Sequence, residues 1–368
     1  MTMQLNETIK LYLTREQKAI IEKTMWEYID WVNGLIYFQM NGNSIKKYSS
    51  KDVEAHLPSA LKNQCIRDAK SIWNTCQKKL KDYHMKPGKK KEPRVPVIKS
   101  PHFYVNNQNF KIKTEGSEIF ICFPVCMDEK TRRISVKTKM TQRQFKVLSE
   151  SKLGTMKIVC KNGKISADIP CQVKEPLLNP IGPVMGVDLG LLCPAVASFP
   201  DGSVKFYGNG RQIKFIRRHF DEKRKELGKA KKDKVIAKIN DKESRWMKDI
   251  DHKISREIIE DAIKMDVKII QLEQLSGIRE RNKKDRKNNH SLHTWSFYRL
   301  QQFIEYKARL AGIKVEYINP ENTSKRCPCC GRLNETHGRD YYCKCGFHAH
   351  RDVVGAINIR NSTERIGD

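Results

Sequence analysis

Between residues 323 and 360 the chain reads TSKRCPCCGRLNETHGRDYYCKCGFHAHRDVVGAINIR, and this stretch limits the possible folds more than any other. Cys327 and Cys330 form a C-x-x-C pair backed by Gly331, and Cys343 and Cys345 form a C-x-C pair backed by Gly346. Thiolates hold zinc tetrahedrally, and a glycine behind each pair supplies the tight backbone that aims two sulfurs at one ion. The pattern reads as a zinc ribbon with a structural Zn2+. The shortened second pair leaves Cys329, His348 and His350 as alternative ligands. Directly behind the ribbon, Asp352, Gly355, Ala356 and Ile359 recur at the i, i+3, i+4, i+7 spacing of one helical face. A helix is predicted there, with a carboxylate in its first turn facing inward and small residues that let the face approach a sheet closely. An Asp at a helix start is commonly only an N-cap, so Asp352 needs partners before it implies chemistry.

Two apolar strands supply them. VMGVDLG, residues 184–190, carries Asp188, and a strand follows the Asp201-Gly202 turn; VKIIQLEQL, residues 267–275, carries Glu273 near its end. A carboxylate in a core strand is paired, metal-bound or at an exposed strand end, because burying it alone is unfavourable. Three such acids in the order strand, strand, helix predict one cluster of negative charge that cations hold together.

GVDLG, QLEQLSGIRE, WSFYRLQQFIEYKARLAGIKVEYINPENTSKRCPCCG and CKCGFHAHRDVVGAINI resemble, in this order, the signature blocks of the TnpB family of transposon-encoded RNA-guided nucleases, which is similar to the type V CRISPR effectors. The close part of the resemblance runs from residue 182 to 360, and the second cysteine pair departs from the C-x-x-C common in the family. The resemblance implies an α+β multidomain protein. Its parts are an RNase H-like (RuvC) mixed α/β nuclease domain with an inserted zinc ribbon, and a small antiparallel β wedge domain interrupted by a helical recognition lobe. Implied site residues are Asp188, Glu273 and Asp352 as catalytic acids holding two Mg2+ ions, and Cys327, Cys330, Cys343 and Cys345 as zinc ligands. Implied partners are a guide RNA and target DNA, with the protein a monomer in the complex. Phosphodiester hydrolysis needs an activated water and compensation for charge on the leaving oxygen, which paired magnesium ions provide; Asp188 is expected to bridge them. Sequence specificity would come from guide pairing, with the protein reading a short flanking motif. Three other readings share parts of the pattern: a DNA-strand-transfer transposase, a guided repressor without nuclease activity, and a zinc-ribbon DNA-binding protein.

Charge agrees with a polyanionic partner. Among 368 residues there are 71 Lys and Arg against 42 Asp and Glu, a formal net charge of +29, far beyond what solubility requires. No run of 18 apolar residues and no secretory signal is read, so no membrane and a cytoplasmic location are expected. Seven further cysteines, at 65, 76, 122, 126, 160, 171 and 193, lack metal spacing and read as buried thiols.

Along the chain, residues 3–13 alternate as a strand. Thr14 and Gln17 form a capping box opening a helix with apolar positions Ile21, Met25, Tyr28, Val32 and Leu35. A short helical piece near residues 50–56 and a helix through Leu61, Cys65, Ala69, Ile72, Cys76 and Leu80 follow. Strands are predicted over 110–113, 119–123 and 133–137, and as a hairpin over 156–169 turning at Asn162-Gly163. The expected divisions are residues 1–13 and 95–176 as the wedge, 14–86 as the helical lobe and 87–94 as a linker. Residues 182–322 are expected as the nuclease core, 323–348 as the ribbon, 349–360 as its closing helix and 361–368 as a tail. Two basic helices are expected over 211–264, a polar loop beside the active site over 276–295, a helix over 295–311 and a strand over 314–318.

Overall fold

The computed structural model describes residues 2–85, 91–127, 130–178, 181–275, 297–335 and 338–363. It divides into two compact units, Met1–Lys174 and Glu175–Asp368.

The first unit runs β1 (Thr2–Tyr12), α1 (Arg15–Met40), a 3₁₀ turn (Ser50–Asp52), α2 (Ser59–Met85), β2 (His102–Val105), β3 (Lys111–Glu115), β4 (Glu118–Met127), β5 (Lys130–Thr138), α3 (Gln142–Glu150), β6 (Lys152–Leu153), β7 (Met156–Lys161) and β8 (Lys164–Lys174). The strands form one antiparallel sheet in the order β2-β7-β8-β1-β5-β4-β3, with β6 on β8. β1 is its spine. It pairs with β8 from Thr2↔Lys174 to Lys10↔Ser166 and with β5 at Leu11↔Thr138 and Tyr12↔Lys137. Its odd-numbered residues Met3, Glu7, Ile9 and Leu11 are buried, as a period of two requires. The inward Glu7 is met by Arg143 of α3 at 2.9 Å. That helix escaped the sequence reading, although Thr141 and Gln144 form a capping box like that of Thr14 and Gln17. The helical piece expected near 50–56 is only the three-residue 3₁₀ turn, capped by Ser49 and Asp52.

Ile21, Met25 and Tyr28 of α1, Leu61, Cys65 and Ala69 of α2, and Phe103, Phe123, Val136 and Ile158 of the sheet belong to one hydrophobic cluster. Each large side chain buried there contributes about 1.5–3 kcal/mol relative to exposure. The helices and the sheet therefore share a core, and the expected boundary between residues 14–86 and the strands does not divide it.

The second unit runs β9 (Val184–Asp188), β10 (Ala195–Ser198), β11 (Val204–Tyr207), α4 (Gly210–Lys229), α5 (Asp233–Lys264), β12 (Ile269–Glu273), α6 (Phe297–Leu310), β13 (Lys314–Ile318), β14 (Asp340–Tyr342), β15 (His348–His350) and α7 (Arg351–Asn361). Its main sheet has the order β11-β10-β9-β12-β13, with β10 antiparallel to both neighbours and β12 parallel to both of its own. The Asp201-Gly202 turn joins β10 to β11, so a strand that the sequence reading passed over, Ala195–Ser198, lies between the turn and β9. The loop expected over 276–295 lies outside the described residues. Among the described residues, no helix is long and apolar enough to cross a membrane.

Alternation along the central strands decides what each face carries. Met185 and Val187 of β9 and Ile270 and Leu272 of β12 pack into a core with Ile254, Ile258 and Ala262 of α5 and Leu300, Ile304 and Ala308 of α6. Gly186 and Asp188 point the other way, toward α7. A Cβ on Gly186 would lie 2.3 Å from both the Ala356 carbonyl oxygen and the Arg360 backbone nitrogen. These are backbone atoms that cannot swing aside. Gly186→Ala is therefore expected to push α7 off the sheet and to destabilise the unit by about 2 kcal/mol or more, in the upper range of single substitutions. Thermal denaturation of the purified variant measures the effect.

Candidate active site and metal centre

Asp188 and Glu273 each end a strand, and those strands are parallel neighbours. Val187 sits opposite Leu272 in the register, so the next residue of each strand, the acid, lies beside the other at the carboxyl end of the sheet. Strand neighbours are about 4.8 Å apart, and the carboxyl ends of parallel strands are where α/β sheets carry their ligand sites. Asp188 is buried, and Glu273 is half-buried. The Glu273 backbone is fixed by Gln301 of α6, whose side-chain amide donates to its carbonyl at 2.7 Å. The Thr323 hydroxyl donates to one of its carboxylate oxygens.

Asp352 arrives from the opposite direction, in the first turn of α7, where His350 is the N-cap and accepts from the Asp352 backbone N–H at 3.2 Å. Asp352 is itself buried. Close approach of α7 depends on small residues, as the spacing predicted: a Cβ on Gly355 would lie 2.8 Å from Asp188 Oδ2, and one on Gly190 would lie 3.9 Å from Asp352 Oδ2. The three acids expected to share a site thus lie near one another at the sheet edge, without closing on a common point.

The group of acids carries an excess of negative charge. Burial pushes the Asp188 carboxyl well above the usual carboxylate range, and the charges of Glu273 and Asp352 push it further; Arg351 opposes them. Burial also raises Glu273, with the Thr323 hydroxyl opposing. Arg339, just before β14, sets Nη1 at 2.8 and 3.1 Å from the two oxygens of Asp352. The acids remain spread, since among the described residues only the thiols described next bring three or more ligand atoms within 4.8 Å of one another. Two carboxyls whose charged forms burial disfavours, beside a third paired with a guanidinium, are chemically matched to divalent cations. Arg351 and His350 are half-buried at the rim of this group.

Cys327, Cys330, Cys343 and Cys345 form that group of thiols. Cys327 and Cys345 sulfurs are 3.6 Å apart, and those of Cys330 and Cys343 are 3.5 Å apart. A tetrahedron with metal–sulfur bonds of about 2.3 Å has edges of about 3.8 Å, so the four donors fit a thiolate-bound ion. Two knuckles shape them. Gly331 N–H donates to the Cys327 carbonyl with φ +73°, and Gly346 N–H donates to the Cys343 carbonyl with φ +90°. The Cys345 backbone N–H, with Asn334 and neighbouring thiols, lowers the Cys343 thiol, while the hydrogen bonds the thiols share raise Cys330 and Cys345. Of the alternative ligands, Cys329 is exposed outside the cluster, His348 stacks on Tyr342 with ring centroids 4.2 Å apart, and His350 caps α7. Beneath the knuckles, fully buried Tyr341 donates to the Lys325 carbonyl at 3.1 Å and accepts from Asn334 at 2.7 Å.

Sequence reasoning missed three residues that shape the site. Arg339, Thr323 and Gln301 carry no spacing signal, because each reaches an acid through the tertiary fold.

The family model described as "Cas12f1-like, TNB domain" matches residues 297–359, the span from α6 through the ribbon into α7. A TnpB-like protein of Methanocaldococcus jannaschii is 38% identical over 165 residues, covering 42% of this chain and 59% of that protein. The CRISPR-associated endodeoxyribonuclease Cas12f1 of Sulfoacidibacillus thermotolerans is 32% identical over 213 residues, covering 53% of this chain and 48% of that one. The chain therefore spans roughly half the length of these curated relatives. In fold, it superposes with a TM-score of 0.67 on Cas12f1 from the cryo-EM structure of its complex with sgRNA and target DNA, at 19% identity, covering 96% of this chain and 84% of that one. In sequence the chain is similar to TnpB-like and Cas12f1 proteins, and in fold it is similar to Cas12f1.

Proposed function

We propose that the chain is an RNA-guided DNA endonuclease of transposon origin, with Asp188, Glu273 and Asp352 as its catalytic acids. The observation that carries this reading is the meeting of Asp188 and Glu273 at two parallel strand ends with Asp352 from the facing helix. The sheet order, with its second strand antiparallel to the first, supports an RNase H-like (RuvC) nuclease unit. Residues 182–322 form its core in this reading, 323–348 its zinc ribbon and 349–360 its closing helix. Residues 1–13 and 95–176 form the wedge, and 14–86 the helical lobe.

The acids would hold magnesium. Bound there, divalent cations supply Lewis-acid activation of water and neutralise charge on the leaving oxygen of the phosphodiester. Asp188, whose carboxyl feels the charges of both Glu273 and Asp352, would hold the ions together with those two acids. Arg339 holds Asp352 in place and offsets negative charge beside a polyanionic substrate. The four thiolates would hold zinc in a structural role, since no position of the tetrahedron is left for substrate.

The names of the relatives, the net charge of +29 and the Cas12f1 complex with sgRNA and DNA support guide RNA and target DNA as partners. Nothing favours a guided repressor, which has no use for three converging acids. The test is to sequence the RNA that copurifies with the protein, then offer plasmids that match it beside a randomised flank. The expected result is a discrete RNA and cleavage confined to matched plasmids bearing one flanking motif. Protein free of discrete RNA would overturn the guided reading.

A further inference from the structure

Glu273 is held by a residue outside the three acids. Thr323 lies between β13 and Cys327, and its side chain is almost fully buried. Its hydroxyl oxygen contacts Glu273 Oε1 and lies 3.2 Å from the Pro320 carbonyl oxygen. One hydroxyl carries one proton, and an ionised carboxylate has none to give, so Thr323 donates to Oε1 whenever Glu273 is charged. That bond fixes the rotation of the carboxylate and leaves Oε2 the freer of its two oxygens.

The segment carrying Thr323 is itself pinned. Asn358 Nδ2 donates to the Thr323 carbonyl at 2.6 Å and to the Arg326 carbonyl at 2.7 Å. Asn358 sits on α7, six residues beyond Asp352. One helix thus sets Asp352 directly and Glu273 indirectly, through Asn358 and then Thr323. Gln301 fixes the Glu273 backbone, whereas the hydrogen bond from Thr323 sets the rotation of its carboxylate.

We propose that Thr323 is a positioning residue for Glu273: anchored by Asn358, its hydroxyl holds the Glu273 carboxylate in the rotation that presents it to a divalent cation. The inference rests on reading Glu273 as a magnesium-holding acid. Hydrogen bonds to metal-ligating carboxylates are worth about 10- to 100-fold in metal affinity or activity.

Four variants of the full ribonucleoprotein separate the possibilities: Thr323→Val and Thr323→Ala, which both lack the hydroxyl, Thr323→Ser, which keeps it, and Glu273→Gln. Two readouts are taken, the magnesium dependence of plasmid cleavage and calorimetric titration of Mn2+ into the target-bound complex. Thr323→Val and Thr323→Ala are expected to raise the magnesium needed for half-maximal cleavage and to weaken Mn2+ binding by about 10- to 100-fold. Thr323→Ser is expected to stay within a few-fold of wild type, and target binding is expected to be unchanged throughout. Wild-type magnesium dependence in a folded Thr323→Val or Thr323→Ala protein, with Glu273→Gln inactive, overturns the role of Thr323 alone. Wild-type cleavage by Glu273→Gln overturns the metal role of Glu273 on which it rests.

Discussion

Asp188→Asn should abolish DNA cleavage and, in magnesium-free buffer at neutral pH, raise the melting temperature. Both effects have one cause. Asp188 is buried against two other acids, and burial followed by Glu273 and Asp352 raises its pKa in the folded state. A raised carboxyl pKa means that the fold prefers the protonated form. Its contribution to stability is complete below the unfolded value near 4 and is lost as the pH rises through the folded value. Glu273, raised mainly by burial, acts in the same direction. The cation-free protein is therefore expected to lose stability from about pH 4 upward because of this cluster, and magnesium is expected to restore it by binding the ionised form. An amide of the same shape removes the Asp188 charge and its share of the pH dependence together. A gain on the order of 1–2 kcal/mol corresponds to several degrees in a unit of this size. Melting curves of wild type and variant across pH, with and without magnesium, check this. An Asp188→Asn protein that melts lower than wild type at neutral pH without magnesium would show that the acids are not in mutual repulsion.

Cys327→Ala should empty the metal knuckle and silence the nuclease without touching an acid. Cys327 is buried in a small cluster with Tyr341, Cys343 and Val354, so the ribbon has little core beyond its sulfurs. Structural zinc sites of this kind contribute roughly 10–16 kcal/mol of folding free energy in isolated peptides. Loss of the ion is expected to release both ribbon contacts to the acids, Arg339 to Asp352 and Thr323 to Glu273. Metal analysis is expected to fall from one zinc per chain to none, with cleavage at least about 10- to 100-fold slower. Cys329→Ala, outside the cluster, is the matched control and is expected to retain its zinc. Full zinc content in Cys327→Ala would contradict the ligand set.

Much of this arrangement was legible in the sequence because it depends on short-range pattern. The period of two in β1 and the Thr14 capping box are local signals, and local structure followed them. The small residues at 355 and 356 foretold how closely α7 meets the sheet. Two glycines with positive φ marked the knuckles, and the C-x-C pair still closes the thiol group because the second turn bends at Gly346.

What escaped was non-local. β10 is four residues long, and its identity comes from pairing between β9 and β11 rather than from propensity. Fusion of the helices and the sheet of the first unit into one core could not be read from periodicity, since an apolar face does not state what will cover it. The same holds for Arg339 and Thr323. A lone arginine and a lone threonine in a polar stretch are unremarkable until the fold carries them to a carboxylate.

The central claim is that Asp188, Glu273 and Asp352 act as one cation-holding set for DNA hydrolysis. Its most direct measurement is magnesium-dependent cleavage of a guide-matched plasmid by wild type and by Asp188→Ala, Glu273→Ala and Asp352→Ala, with guide and target binding measured in parallel. All three variants are expected to bind guide and target as wild type does and to leave the plasmid uncut. Cleavage at the wild-type rate by any one of them would contradict the claim.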